Sequence, residues 1–183
     1  MKRFFAAAAL CAALGLGGCA DPATKVVSQA NPSAVAGKNK SRIEAIVIDF
    51  NVNDAAEKVS GERALIEALG SSNVKAAALN RGGDSQLTAA MTREALGGRP
   101  IRYVLLVERL GQGTDQYTTM NRYGVVLSQR SMPAGAYRYT LLDLESKQIV
   151  WQGAVRTNGN DYTAVAAKAS REAIDRMRSD NII

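Results

Sequence analysis

The chain contains no histidine, and its two cysteines both fall within the first 19 of its 183 residues. Without histidine the commonest general base and the commonest metal ligand are missing, which weakens any enzymatic or metal-centred reading. Beyond Cys19 no disulfide can staple the chain, yet its length suffices for a hydrophobic core without one. Aromatic residues make up 5% and include a single tryptophan, Trp151. No apolar run reaches the ~20 residues that a membrane-spanning helix needs, the longest being residues 4–16. Clustered basic residues with interleaved aromatics are also lacking: Arg93, Arg99, Arg102, Arg109, Arg122, Arg130, Arg138 and Arg156 are spread along the chain, which argues against a nucleic-acid partner.

The N-terminus is where the sequence is most specific. Lys2 and Arg3, a short apolar segment and small residues up to Gly18 make a secretory signal rather than a permanent span. Leu16-Gly17-Gly18-Cys19 resembles the lipobox of bacterial lipoproteins. That resemblance implies export, cleavage before Cys19, and palmitate-type acylation of its thiol and amine, so that lipids hold the protein on a membrane. Ala20 follows directly; in lipoproteins similar to those of enteric bacteria an aspartate there favours inner-membrane retention, so Ala20 implies the periplasmic face of the outer membrane. The expected organisation is a signal peptide over 1–18, a lipidated cysteine with a flexible tether over 19–41, and one periplasmic domain over 42–183. Cleavage leaves 21 basic against 17 acidic residues, a mildly basic protein. The tether is rich in Ala, Ser, Asn, Pro and Gly, and ~20 such residues span roughly 25 Å.

The domain opens with Arg42 to Phe50, apolar on both parities and so expected as a strand buried on two faces. Ala55 to Leu69 reads as a helix ended by Gly70, and Asn73 to Asn80 as a short strand. A second helix is expected from Asp84 or Ser85 through Leu96, with Leu87, Ala90, Met91 and Ala95 inward. Ile101 to Leu110 is the strongest strand. The polar segment Gly111 to Arg122 is expected to project from the sheet, as a contact loop, as a tip without a role or as a further extension of the two flanking strands, followed by strands over Tyr123–Arg130, Ala136–Leu144 and Gln148–Arg156. Short connections make these neighbours an antiparallel meander of four strands. Asp161 to Arg178 is helical, with an alanine-rich face toward the sheet. The expected fold is therefore α/β (α+β), a mixed sheet packed by about three helices.

This order, with Ile46-Val47-Ile48-Asp49-Phe50, Arg102-Tyr103-Val104-Leu105-Leu106 and Tyr139 through Gly153 as its signature pieces, resembles the α/β domain shared by LpoB-type activators of penicillin-binding proteins, CsgG-type curli-secretion lipoproteins and the N-terminal domain of TolB. In such proteins a strand ending in Asp-Leu, a polar turn and a strand ending in Trp-x-Gly recur, here Asp143-Leu144 and Trp151-Gln152-Gly153. The resemblance implies a domain that works by docking.

Candidate chemistry is thin. Ser72-Asn73-Val74-Lys75 has the spacing of a serine activated by lysine, but lies between a helix and a strand without the accompanying elements. Gly111-Gln112-Gly113 lacks the helix a phosphate cradle needs. Asp49, Asp143 and Glu145 each have a simpler place at a strand end or turn, and no nucleophile, base and oxyanion arrangement is visible. No cofactor and no metal is expected. Two classes of function remain: a non-catalytic envelope lipoprotein that docks on other envelope proteins, such as a cell-wall synthase or secretion assembly, and a membrane-surface enzyme or small-ligand carrier. A deep polar pocket would favour the second and an exposed apolar patch the first. Candidate contact residues for the first are Tyr117, Met120 and Arg122 on the polar segment, and Trp151, for which the core or the sheet surface is the simpler place.

Overall fold

The computed structural model describes residues 24–31, 43–79 and 91–183. The lipobox residues Leu16, Gly17, Gly18 and Cys19 lie outside the described residues, as does most of the second expected helix. The elements are β1 (Lys25–Ala30), β2 (Ala45–Asn51), α1 (Ala55–Gly70), β3 (Lys75–Ala78), β4 (Tyr103–Met120), β5 (Val126–Asp143), β6 (Gln148–Asn158) and α2 (Tyr162–Ser179). All six strands join one sheet in the order β1-β6-β5-β4-β2-β3. The pairs β2–β3 and β2–β4 are parallel and the others antiparallel, so the sheet is mixed and the fold α/β, as expected.

β2 is buried along its whole apolar run because both faces are covered. Ile46, Ile48 and Phe50 point toward α1 and α2, where they meet Leu65, Leu69, Leu105, Val107, Tyr137, Tyr139 and Ile174 in the main core. Ala45 and Val47 point the other way, against Ala77 and Leu96. Both helices start on an aspartate whose carboxylate accepts a first-turn N–H: Asp54 from Glu57 at 2.8 Å and Asp161 from Ala164 at 2.7 Å. Each satisfies one donor the helix would otherwise leave open. Residues 91–95 are helical, and there the inward positions differ from expectation: Thr92 and Leu96 are buried, one turn apart, whereas Met91 and Ala95 are exposed.

Two segments depart from the sequence reading. Lys25–Ala30, expected as tether, is a strand paired along its length with β6, from Lys25 opposite Arg156 to Ala30 opposite Trp151. An exposed β6 edge offers free backbone groups, and these six residues satisfy them. The meander from 101 to 156 has three strands instead of four, because Tyr123–Arg130 and Ala136–Leu144 belong largely to one strand, β5, and because Gly111–Met120 continues β4 instead of forming a loop. Pro133 does not turn the chain. It sits one residue beyond the last β5–β6 pair, Ala134 opposite Asn158, where no ladder N–H is required of it. The fourth antiparallel strand of the sheet is β1.

The Trp-x-Gly piece has a packing reason. A side chain on Gly153 would run into the indole of Trp151, whose ring lies across the glycine. Trp151 itself is fully buried, and its N–H donates to Asp180 at 2.8 Å.

Candidate functional site

β4 and β5 are much longer than their neighbours. β2 pairs with β4 only as far as Asn51 opposite Glu108, and β6 pairs with β5 only as far as Asn158 opposite Ala134. Beyond those points β4 and β5 continue to pair with each other out to Met120 opposite Val126. The result is a two-stranded arm leaving one end of the sheet.

Its base is fixed to α1. At Leu110 an extra residue bulges from β4, between the pairs Arg109–Tyr137 and Gly111–Ala136. The bulge brings Arg109 and Gln112 to the same carboxylate: Arg109 Nη1 donates to Glu57 Oε2 at 2.8 Å, Gln112 Nε2 to the same oxygen at 3.1 Å, and Tyr137 Oη to Oε1 at 2.6 Å. The Glu57 side chain is 1% exposed, so an ion pair and two neutral donors compensate a charge withdrawn from water. Glu57 also sits in the first turn of α1, where a negative charge is favoured by the helix dipole. Burial and the bond to Glu57 push the Tyr137 phenol well above its ordinary range.

The next stretch is braced by the end of β6 and the loop after it. Arg156 Nη2 reaches Asp115 Oδ1 at 2.5 Å, Asn158 donates to Asp115 Oδ2 at 3.3 Å and to the hydroxyl of Tyr117, Arg130 donates to Asn160 at 3.2 Å, and Tyr162 Oη donates to the Gly113 carbonyl at 3.2 Å. Past Tyr117 and Arg130 the arm stands out from the body. Its end is a closed turn: the Asn121 side chain accepts from the N–H groups of Tyr123 and Val125 at 2.9 and 3.0 Å, and Gly124 takes the positive φ of 78°. Around that turn Met120 is 57% exposed, Tyr123 73% and Leu127 63%, with Val125 and Val126 beside them. Arg122 lies over the ring of Tyr123, 4.7 Å from its centre.

Of the residues singled out from sequence, Tyr117, Met120 and Arg122 are thus brought together on one arm, Tyr117 half-buried at the brace and the other two exposed toward the tip. Trp151 is elsewhere and inside the core, which corrects its candidacy as a surface aromatic: its ring fills the space in front of Gly153 and its polar atom is used by Asp180. The sequence reading missed Tyr123 and Leu127 as part of the same patch, because it places them in a separate strand after the polar segment. It also missed Glu57, Arg109 and Asp115, for which no local signal exists, since their partners are 41 to 80 residues away.

The acidic candidates do not converge. Asp143 and Glu145 share Arg102, at 3.0 Å each, and Asp143 also accepts from the N–H of Glu145 at 2.9 Å, closing the β5–β6 turn. Asp49 is opposite Leu106 on β4, three positions along from Tyr103, which faces Asp143. Ser72 accepts from Arg178 Nε at 2.7 Å in the turn after α1, while Lys75 starts β3, so the pair shares no helical face. An open depression of about 460 Å³ lies against α1, lined by Val59, Glu62, Ile66 and Ala78 among others. No helix among the described residues is long and apolar enough to cross a membrane.

No protein-family model matches the chain, and no curated protein matches it. Among solved structures it is similar to the PelC dodecamer from Paraburkholderia phytofirmans, at 12% identity and a TM-score of 0.49, over 83% of this chain and 95% of that one. It is also similar to the lipoprotein GNA1162 from Neisseria meningitidis, at 12% identity and a TM-score of 0.41, over 75% of this chain and 99% of that one.

Proposed function

We propose that the protein is a non-catalytic envelope lipoprotein, held on the periplasmic face of the outer membrane by Cys19, whose domain docks on other envelope proteins through the β4–β5 arm. The arm is the observation that carries this reading. Past the brace at Tyr117 and Arg130, no strand among the described residues lies beside it, so both edges there present backbone N–H and C=O groups to an incoming strand. An extended segment of a partner that adds to such an edge gains main-chain hydrogen bonds, and alternate side chains set specificity. The base and brace hold the arm in place before binding, which lowers the ordering cost of association. The resemblance to LpoB-type and CsgG-type domains agrees with a docking role.

Two measurements test this. Labelled fatty acid should enter the wild-type chain and not Cys19→Ser; equal incorporation in both would remove the anchor. A photoreactive residue in place of Thr118, on the arm, should give discrete protein adducts in intact cells, while one in place of Ile149, at the opposite end of the sheet, should not. Absence of adducts at Thr118 would reject the arm as the docking edge.

A further inference from the structure

The free end of the arm differs chemically from its braced part. Residues 111–119 are Gly, Gln, Thr, Asp and Tyr, whereas Met120, Tyr123, Val125, Val126 and Leu127 crowd the tip with 46 to 73% of their surfaces exposed. From Gln116 through Leu142 the chain contains no aspartate or glutamate, so the charges on the outer arm are Arg122 and Arg130 alone. An apolar end flanked by arginines and free of acids fits a surface that is apolar below and anionic above.

The position of β1 says where such a surface lies. Thr24 is hydrogen-bonded to Thr157 at 2.9 Å, and from Ala30 back to Lys25 the strand runs toward the end of β6 from which the arm departs. Thr24 therefore stands at the arm's side of the domain. Cys19 is five residues before Thr24, and five residues reach at most about 18 Å. From Gly135, which pairs with Thr157, the arm runs nine residues to Val126, a contour of about 30 Å. The arm is thus longer than the link and leaves from the same side.

We propose that the tip, Met120 to Leu127, rests in the headgroup layer of the anionic bilayer that holds the Cys19 lipid, so that the protein meets its membrane at two points. This rests on the lipidation reading above. The arm does not cross the bilayer: its polar residues 111–119 and its unpaired backbone edges are incompatible with hydrocarbon. The expected depth is that of an interfacial element, ~5–10 Å below the surface. With one end fixed by lipid and the other by the tip, the edges of the arm stand just above the membrane, where a partner strand can reach them.

The test uses the full, processed chain in vesicles of phosphatidylcholine with about one-third phosphatidylglycerol. Leu127→Cys carries an environment-sensitive fluorophore, Ile149→Cys serves as reference, and a doxyl-labelled lipid acts as quencher; mass spectrometry beforehand reports whether Cys19 is acylated. The expected result is quenching at Leu127 severalfold stronger than at Ile149, with the difference lost in Tyr123→Ser/Val125→Ser and reduced by high salt. Chain that floats with the vesicles while both probes stay in water overturns the tip contact and leaves the anchor standing. Unacylated chain that fails to float overturns both. A Leu127 probe shielded without quenching, together with a doubled particle mass, identifies a second copy as the occupant and also overturns the proposal.

Discussion

Glu57 is the residue on which the geometry of the arm depends most. It holds Arg109, Gln112 and Tyr137 together at the point where β4 bulges. Glu57→Ala leaves a guanidinium and a buried phenol without their acceptor, and a loss of about 3 kcal/mol in urea unfolding is expected. Asp180 plays a comparable part at the far end of α2. Burial alone would raise its pKa, but Ser28 at 2.6 Å, Trp151 at 2.8 Å and the charge of Arg176 outweigh that and hold the carboxyl below its ordinary value. Asp143 is depressed in the same way: burial opposes, and Arg102 with two turn N–H groups prevails. A carboxyl with a lowered folded pKa stabilises above its unfolded value and loses that contribution as pH falls through the folded one. Glu62 acts in the opposite sense, because burial raises its pKa more than Lys58 lowers it. The urea midpoint should therefore fall below pH ~4 as the Asp180 and Asp143 contributions are lost, with a shallower fall in Asp180→Asn.

At the scale of elements, legibility followed burial. β2 and the first half of β4 announced themselves because a covered face imposes an apolar pattern. No residue from Gly111 to Arg122 is fully buried, so no apolar pattern was imposed there, and the polar composition read as a loop. β1 was hidden for a related reason: it is an edge strand with no fully buried residue, set between stretches rich in proline, glycine and asparagine. The contact residues were legible only as a composition, since what sets Tyr117 opposite Arg130 and Met120 opposite Val126 is a pairing register that sequence does not display. The same distinction predicts two mutational outcomes. Replacing residues 118–129 with a two-residue Asn-Gly turn should shift the unfolding midpoint by no more than about 0.5 kcal/mol, because that segment supports only itself. Leu105→Ala, in the covered half of β4, should cost about 2 to 5 kcal/mol.

For the whole molecule, β1 changes what counts as the folding unit. A chain beginning at Ser41 retains both helices and the remaining five strands, yet it leaves the β6 edge open and takes from Asp180 its Ser28 donor. It should fold, but be less stable than a chain beginning at Thr24 by about 1–3 kcal/mol, and be more prone to associate through that edge. Urea unfolding and light scattering of the two chains would show both effects; equal midpoints would place β1 outside the cooperative unit. Because β1 is antiparallel to β6 and its upstream end leads out along the strand axis, a pull on the chain before Thr24 is directed along the ladder rather than across it. The backbone bonds between Lys25 and Ala30 then carry the load together, in shear, instead of opening one after another like a zipper. A domain attached this way passes tension to β6 along the whole ladder, and should yield at higher force when held by its N-terminus than when β1 is peeled sideways.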